Sequence, residues 1–196
     1  MWFLHQLRPG TATYVVPWAA EVEGAVDAGV LDAALRALLS RHGALRSAFP
    51  SVDGRPQVSF HDVPPRVLEV EDVGDAARLE QRLREEASRP FDLERGPLYR
   101  FRLLSASPRR HVLVVVFHHL VVDGASINVV MRELGLLHAA LARGEAPVLA
   151  PLPLEYADVA AWQHSPAASA HEPELLAYWK RQLEGVPQAL ELPTDR

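Results

Sequence analysis

Apolar residues along this chain recur with two periods, near 3.6 and at 2, and that division predicts most of its elements. Asp27 is placed to cap a helix whose apolar face is Val30, Leu31, Ala34, Leu35, Leu38 and Leu39, with Gly43 as the C′ glycine beyond its end. Ala44 to Phe49 reads as a strand stopped at Pro50, and Val52-Asp53-Gly54-Arg55 as a turn. A second helix is expected over Asp75 to Ser88, because Pro90 would break it. Leu98 to Leu104 and His111 to Phe117 read as two strands of a hairpin turning at Ser105 to Arg110. The second of these is apolar on both faces, which predicts an interior strand.

Ser126 is a candidate cap for a third helix, whose stripe of Ile127, Val130, Met131, Leu134, Leu137, His138 and Leu141 runs up to Gly144. A Pro-rich run over 145–153 reads as a linker. Helical stretches follow around Tyr156–Gln163 and Pro173–Glu184. Helices interspersed with short strands predict an α/β layered fold.

Composition mostly narrows the field by exclusion. The 196 residues can bury one substantial core or form one lobe of a larger domain. A net charge of −5 gives no reason to expect nucleic acid or an anionic membrane as a partner. With no cysteine, disulfides, thiolate catalysis and Cys-ligated zinc are ruled out. No run approaches the ~18 consecutive apolar residues of a membrane span, and the N-terminus lacks a signal-peptide layout, so cytoplasm is the default expectation.

The candidate chemistry lies at the end of the interior strand, in His118-His119-Leu120-Val121-Val122-Asp123-Gly124. Period-two alternation puts His118 with Val112, Val114 and Val116, and His119 with Leu113, Val115 and Phe117, so only one imidazole can face a given cavity. Asp123-Gly124 leads into a helix N-terminus, where free N–H groups favour developing negative charge. Together these residues can serve acyl transfer. Adjacent histidines at a strand end can equally be core residues satisfied by backbone carbonyls. Shared metal ligation is disfavoured by their opposite directions and the lack of an evident third ligand, so no metal is expected.

Several separated stretches resemble the condensation domain of nonribosomal peptide synthetases. Trp2-Phe3-Leu4-His5-Gln6-Leu7 looks like the end of that family's first motif. Arg41-His42-Gly43-Ala44-Leu45-Arg46-Ser47-Ala48-Phe49 is similar to its RHExLRTxF, with Gly43 for Glu and Ser47 for Thr. Pro90-Phe91-Asp92-Leu93 with Gly96-Pro97-Leu98 is similar to PFDLxxGPL. His118 to Gly124 is similar to HHxxxDG, followed by Ala125 where Trp or Val is more usual. Tyr156, Asp158 and Trp162 fit YxDxAxW, and Leu192-Pro193-Thr194-Asp195-Arg196 looks like the lead-in to a second lobe.

The resemblance implies a chloramphenicol acetyltransferase-like lobe, a central mixed sheet flanked by helices. Residues 1–196 would be the N-terminal lobe of a two-lobed domain whose C-terminal lobe is absent. It implies amide-bond formation in secondary metabolism such as antibiotic biosynthesis, with both substrates delivered on phosphopantetheine arms of carrier proteins. No cofactor would be bound directly. His119 would sit beside the attacking amine, as general base or as a positioning group, and the Gly124 N–H would polarise the thioester carbonyl. His118 would be structural. Asp123 would face away from the reaction and pair with Arg41, or failing that Arg46. Trp2, Tyr156 and Trp162 are expected to be core or lobe-packing aromatics rather than substrate contacts. Alternative readings are an epimerization domain, a stand-alone acyltransferase, or a non-catalytic lobe that docks carrier proteins. Cyclizing relatives, which carry aspartates in place of both histidines, are disfavoured.

Overall fold

A computed structural model describes residues 1–187 and 189. The chain divides into two compact units, residues 1–153 and 154–196. In chain order the first unit contains α1 (Trp2–Leu7), β1 (Val15–Glu23), α2 (Ala28–Arg41), a 3-10 turn at Gly43–Arg46, and the two-residue strands β2 (Ser47–Ala48), β3 (Ser51–Val52), β4 (Arg55–Pro56) and β5 (Ser59–Phe60). β6 (Leu68–Asp72), α3 (Ala76–Ser88), β7 (Tyr99–Ser107), β8 (Arg110–His118) and α4 (Gly124–Ala142) complete it.

The sheet runs β1-β8-β7-β6, antiparallel except for the parallel β6–β7 pair. β8 is interior and buried from His111 through His118, as its unbroken apolar run predicts. α2 and α4 pack on each other, and Leu31, Met131 and Leu134 share a crevice with Trp18 and Leu113 of one sheet face. α3 covers the opposite face, the one carrying Arg100 and Arg102.

β1 escapes a reading by pattern because Pro17 sits in its middle and cannot donate to a ladder. The register explains why the strand tolerates it. His119 N donates to Tyr14 O at one end of the pair and Gly24 N to Arg109 O at the other. Even-numbered residues of β1 therefore bond to β8, and Pro17 faces the free edge. β6 is also unmarked in the sequence, since Glu69, Glu71 and Asp72 dilute its apolar signal. Asp32 on α2 fixes its entry by accepting from Val67 N and Leu68 N (2.8 and 2.9 Å). Burial pushes the Asp32 carboxyl up, but those bonds and Arg36 hold it below its usual range.

Three local expectations are corrected. Ala44–Phe49 is not a strand: the Arg46 guanidinium reaches back to Leu39 O and across to His61 O, keeping 43–46 wound before the short β2. Gly43 is not a left-handed C′ glycine, because α2 closes on an extended His42 whose N–H returns to Leu38 O. Ser126 does not cap α4; Asp123 does, and Ser126 donates to it. The cap at Asp27, the second helix (with Asp75 as its N-cap), the 53–54 turn with both residues at positive φ, and the stop at Gly144 all fall where the pattern places them.

The second unit holds α5 (Tyr156–Gln163), α6 (Pro166–Ser169) and α7 (Glu172–Gln182). None of these helices buries a residue. Tyr156, Trp162, Leu175, Leu176, Trp179 and Leu183 are all exposed, so of the expected core or lobe-packing roles Tyr156 and Trp162 do not fill the core one. Trp2 does pack, half-buried, with its indole N–H on Phe49 O. The expected lead-in at Leu192–Arg196 lies outside the described residues.

One charged residue organises the α3 side of the sheet. Glu86 is 2% exposed and binds Arg100 (3.0 Å) and Arg102 (2.5 Å), while Arg100 also donates to Glu86 O, Arg89 O and Pro90 O at the end of α3. Truncating one partner of such a cluster leaves buried charge uncompensated. Glu86→Ala is expected to cost about 3–5 kcal/mol in urea unfolding. A loss like that of an exposed α3 carboxylate such as Glu80→Ala would contradict this account.

Candidate functional site

The site begins where β8 ends. His118 N donates to Leu98 O and His119 N to Tyr14 O, so the two histidines are held by the approaches to β7 and β1 respectively. The chain then turns: Val121 N bonds His118 O at 3.0 Å, and Leu120 N bonds His118 Nδ1 at 3.1 Å. An Nδ1 that accepts fixes the neutral ring with its proton on Nε2.

His118 is 3% exposed, and its ring meets those of His5, Tyr14 and Phe91 at 6.1–6.2 Å between centroids. Burial, then the neighbouring His5, His119 and N-terminal ammonium, pushes it down to about 4. His119, one residue on, is exposed. Of the two imidazoles, then, only His119 is presented to solvent.

Val121 and Val122 return the chain to the core, and Asp123 starts α4. Its carboxylate accepts from Ser126 Oγ (2.6 Å) and Ser126 N (2.8 Å), which hold it below the usual carboxylate range. The expected pair between Asp123 and an arginine is not formed. Arg41 instead binds Glu133 (3.0 Å) and Ala150 O, and Arg46 is spent on the carbonyls of Leu39 and His61. The cap geometry points the Asp123 carboxylate back over its own helix, and both guanidinium groups are already engaged by other acceptors.

Glu133 is the partner that the motif reading missed. It is buried on α4 and takes His42 Nε2 (2.7 Å) as well as Arg41, tying α4 to the end of α2. Burial pushes its carboxyl up, but the His42 and Arg41 hydrogen bonds outweigh that and hold it down. A signal for it existed: Glu133 interrupts the stripe between Val130 and Leu137. Phe91 is likewise missed as a site residue although its PFDL stretch stands out, and Tyr14 had no signal at all.

Gly124 is the first residue of α4 and is exposed. Its φ is not positive, and a Cβ built on it meets nothing within 4 Å. Among the described residues, nothing therefore requires a glycine there. Crevices of about 850 and 540 Å³ lie elsewhere, and neither is lined by His119 or Gly124. Among the described residues, no group of three or more His, Asp or Glu side chains is gathered as a metal site.

A family model for the condensation domain matches residues 1–196, the full length of the chain. The chain belongs to the condensation-domain family. This condensation-domain chain is 42% identical over 205 residues to phosphinothricin tripeptide synthetase PhsB of Streptomyces viridochromogenes, covering 100% of itself and 17% of that protein. It is 37% identical over 201 residues to the dimodular nonribosomal peptide synthase of Bacillus subtilis, covering 100% of itself and 8% of that protein.

Among solved structures it matches the X-domain from teicoplanin biosynthesis with a TM-score of 0.87 at 32% identity, covering 100% of itself and 44% of that chain. The starter condensation domain of rhizomide synthetase RzmA matches at 0.83 and 22%, with 95% and 46% covered. The chain thus spans a small part of the synthetases and about half of these solved domains. The expected chloramphenicol acetyltransferase-like architecture, a mixed sheet flanked by helices, is the one these condensation domains share.

Because His118 binds protons more weakly folded than unfolded, it contributes stability that is present above about pH 6.5 and lost as pH falls towards 4. Urea unfolding is expected to lose on the order of 2–3 kcal/mol across that window. His118→Asn, whose amide oxygen can still accept from Leu120 N–H, should flatten the slope; a wild-type slope in that variant would contradict the assignment. Glu133→Ala should lower the melting temperature more than Asp123→Ala, since one empties a buried ion pair and the other an exposed cap. The reverse order would overturn this assignment of roles.

Proposed function

We propose that this chain supplies the histidine-bearing half of an amide-forming condensation site, with His119 as the reacting-side imidazole. The observation that carries the reading is the division of labour at the end of β8: His118 is buried and neutral, while His119, the next residue, is exposed. In the proposed step the acceptor's α-amine attacks the donor thioester carbonyl. The C–N bond forms, the C–S bond breaks, and the amine proton ends on the departing thiol of the phosphopantetheine arm.

Magnitudes favour positioning as the main role of His119. An α-amine has a pKa near ~7.7–8.0, so a useful fraction is already neutral at cellular pH. General base catalysis contributes about 10²–10⁴-fold, whereas aligning two tethered reactants can supply about 7–11 kcal/mol. His119 accepts a hydrogen bond from the amine and orients it. The Gly124 N–H, at the positive end of the 19-residue α4, polarises the carbonyl oxygen. The open space at Gly124 then belongs to the substrate, which explains a glycine the fold itself does not need.

The same reading accounts for the one-sided site and for the apolar residues exposed on α5 and α7. In this proposal a C-terminal lobe forms the other wall and covers apolar surface, and carrier proteins dock on the assembled domain. A second reading, a lobe that only docks partner proteins, is favoured by the likeness to the X-domain, which has also been solved in complex with OxyB.

Aminolysis of a carrier-bound acyl thioester, by the chain alone and with a complementary C-terminal lobe, separates the two. Activity is expected only in the supplemented reaction. There His119→Ala should lose roughly a hundredfold or more, and His119→Gln, which keeps an acceptor, should lose about tenfold or less. Turnover by the lone chain would contradict the half-site, and equal losses in both variants would contradict positioning.

A further inference from the structure

We propose that Phe91 is the positioning residue of the histidine pair: its ring, anchored by Arg100, holds the His118 imidazole on the Leu120 N–H and so fixes the turn that presents His119. The inference rests on the reading of His119 as the reacting imidazole.

The geometry forms a continuous chain of contacts. Arg100 is pinned by Glu86 and by three carbonyls at the end of α3, and its guanidinium carbon stands 3.9 Å from the centroid of the Phe91 ring. That ring meets His118 at 6.1 Å with an interplanar angle of 90°. His118 Nδ1 in turn accepts from Leu120 N, across the residue that must be aimed. The backbone beside Phe91 is equally fixed. Asp92 accepts from Glu94 N and Arg95 N, and Leu93 O receives Phe49 N at 2.6 Å.

His5 and Tyr14 also touch His118, but both are half-buried and neither is braced in this way, whereas Phe91 is buried. The titratable and charged groups facing His118 are His5 and the N-terminal ammonium from the α1 end, Tyr14 ahead of β1, and His119, with Arg100 reached through Phe91. A ring at this position gives the imidazole a fixed edge-to-face partner and keeps water from its buried side. The PFDL stretch thereby gains a role at the histidines, which its distance in sequence conceals.

The test reads the ring nitrogens of His118 and the amide of Leu120 by NMR against pH, in the 196-residue chain labelled with ¹⁵N. In the wild type the Nε2–H form persists through neutral pH and the ring titrates near about 4. Phe91→Leu keeps bulk but removes the ring. It should mix the two tautomers, raise the titration by about one pH unit or more, and speed Leu120 amide exchange by about tenfold. Phe91→Tyr should restore wild-type behaviour, which a loss of volume alone would not explain. If Phe91→Leu does not fold, Phe91→Met carries the same comparison. Unchanged His118 tautomer and titration in a folded ring-less variant would overturn the proposal. The readout needs no turnover, so this outcome is separable from any failure of the condensation reading.

Discussion

Everything at this site follows from the burial of β8 on both faces. A strand buried from His111 to His118 must be interior, and the residues between its two histidines must be apolar on both faces. His118 is the last residue inside that envelope and His119 the first outside it. The chemical difference between two identical side chains is thus set by one residue's displacement along a strand. Burial removes charge from the first imidazole, and a main-chain N–H then fixes its tautomer. The second is left open to whatever is brought to it.

A second constraint holds the helix that receives the chain after the motif. α4 is capped at one end by Asp123 and clamped in its middle by Glu133 to Arg41 and His42. The RHGALR stretch therefore acts on the body of α4, two turns and more from Gly124, and not on the motif aspartate. Arg41 extends the clamp to Ala150 O, and Arg46 closes the path from α2 into β2. On the opposite sheet face Glu86 plays the corresponding part for α3 with Arg100 and Arg102. Both helix layers are thus registered by buried carboxylate–arginine contacts, while the apolar core supplies most of the burial.

What could be read from the chain divides along physical lines. Elements marked by local chemistry are legible: the cap at Asp27, the span of the second helix, the turn at 53–54, the stop at Gly144, and the interior character of β8. Elements decided by distant partners are not. β1 hides behind Pro17, whose missing donor matters only if it faces the ladder. β6 is acidic because Arg102, Arg82 and Arg78 sit beside it. The motif puts His118, His119, Asp123 and Gly124 on the stretch that joins β8 to α4, and alternation separates the two imidazoles. Asp123 takes no arginine because this chain uses its carboxylate as a helix cap on Ser126. Glu133 is silent in the sequence because one charge in an apolar stripe carries no meaning apart from Arg41 and His42, which face it from the end of α2.

At the centre of this picture, β8 presents one imidazole of the pair and withholds the other. Carbethoxylation of the folded chain at neutral pH by diethyl pyrocarbonate, mapped residue by residue with tandem mass spectrometry, tests that division without any assumption about substrate. His119 is expected to be modified rapidly, and His118 to stay protected until the protein unfolds. Modification of both at similar rates in the folded state, or of His118 first, would contradict it.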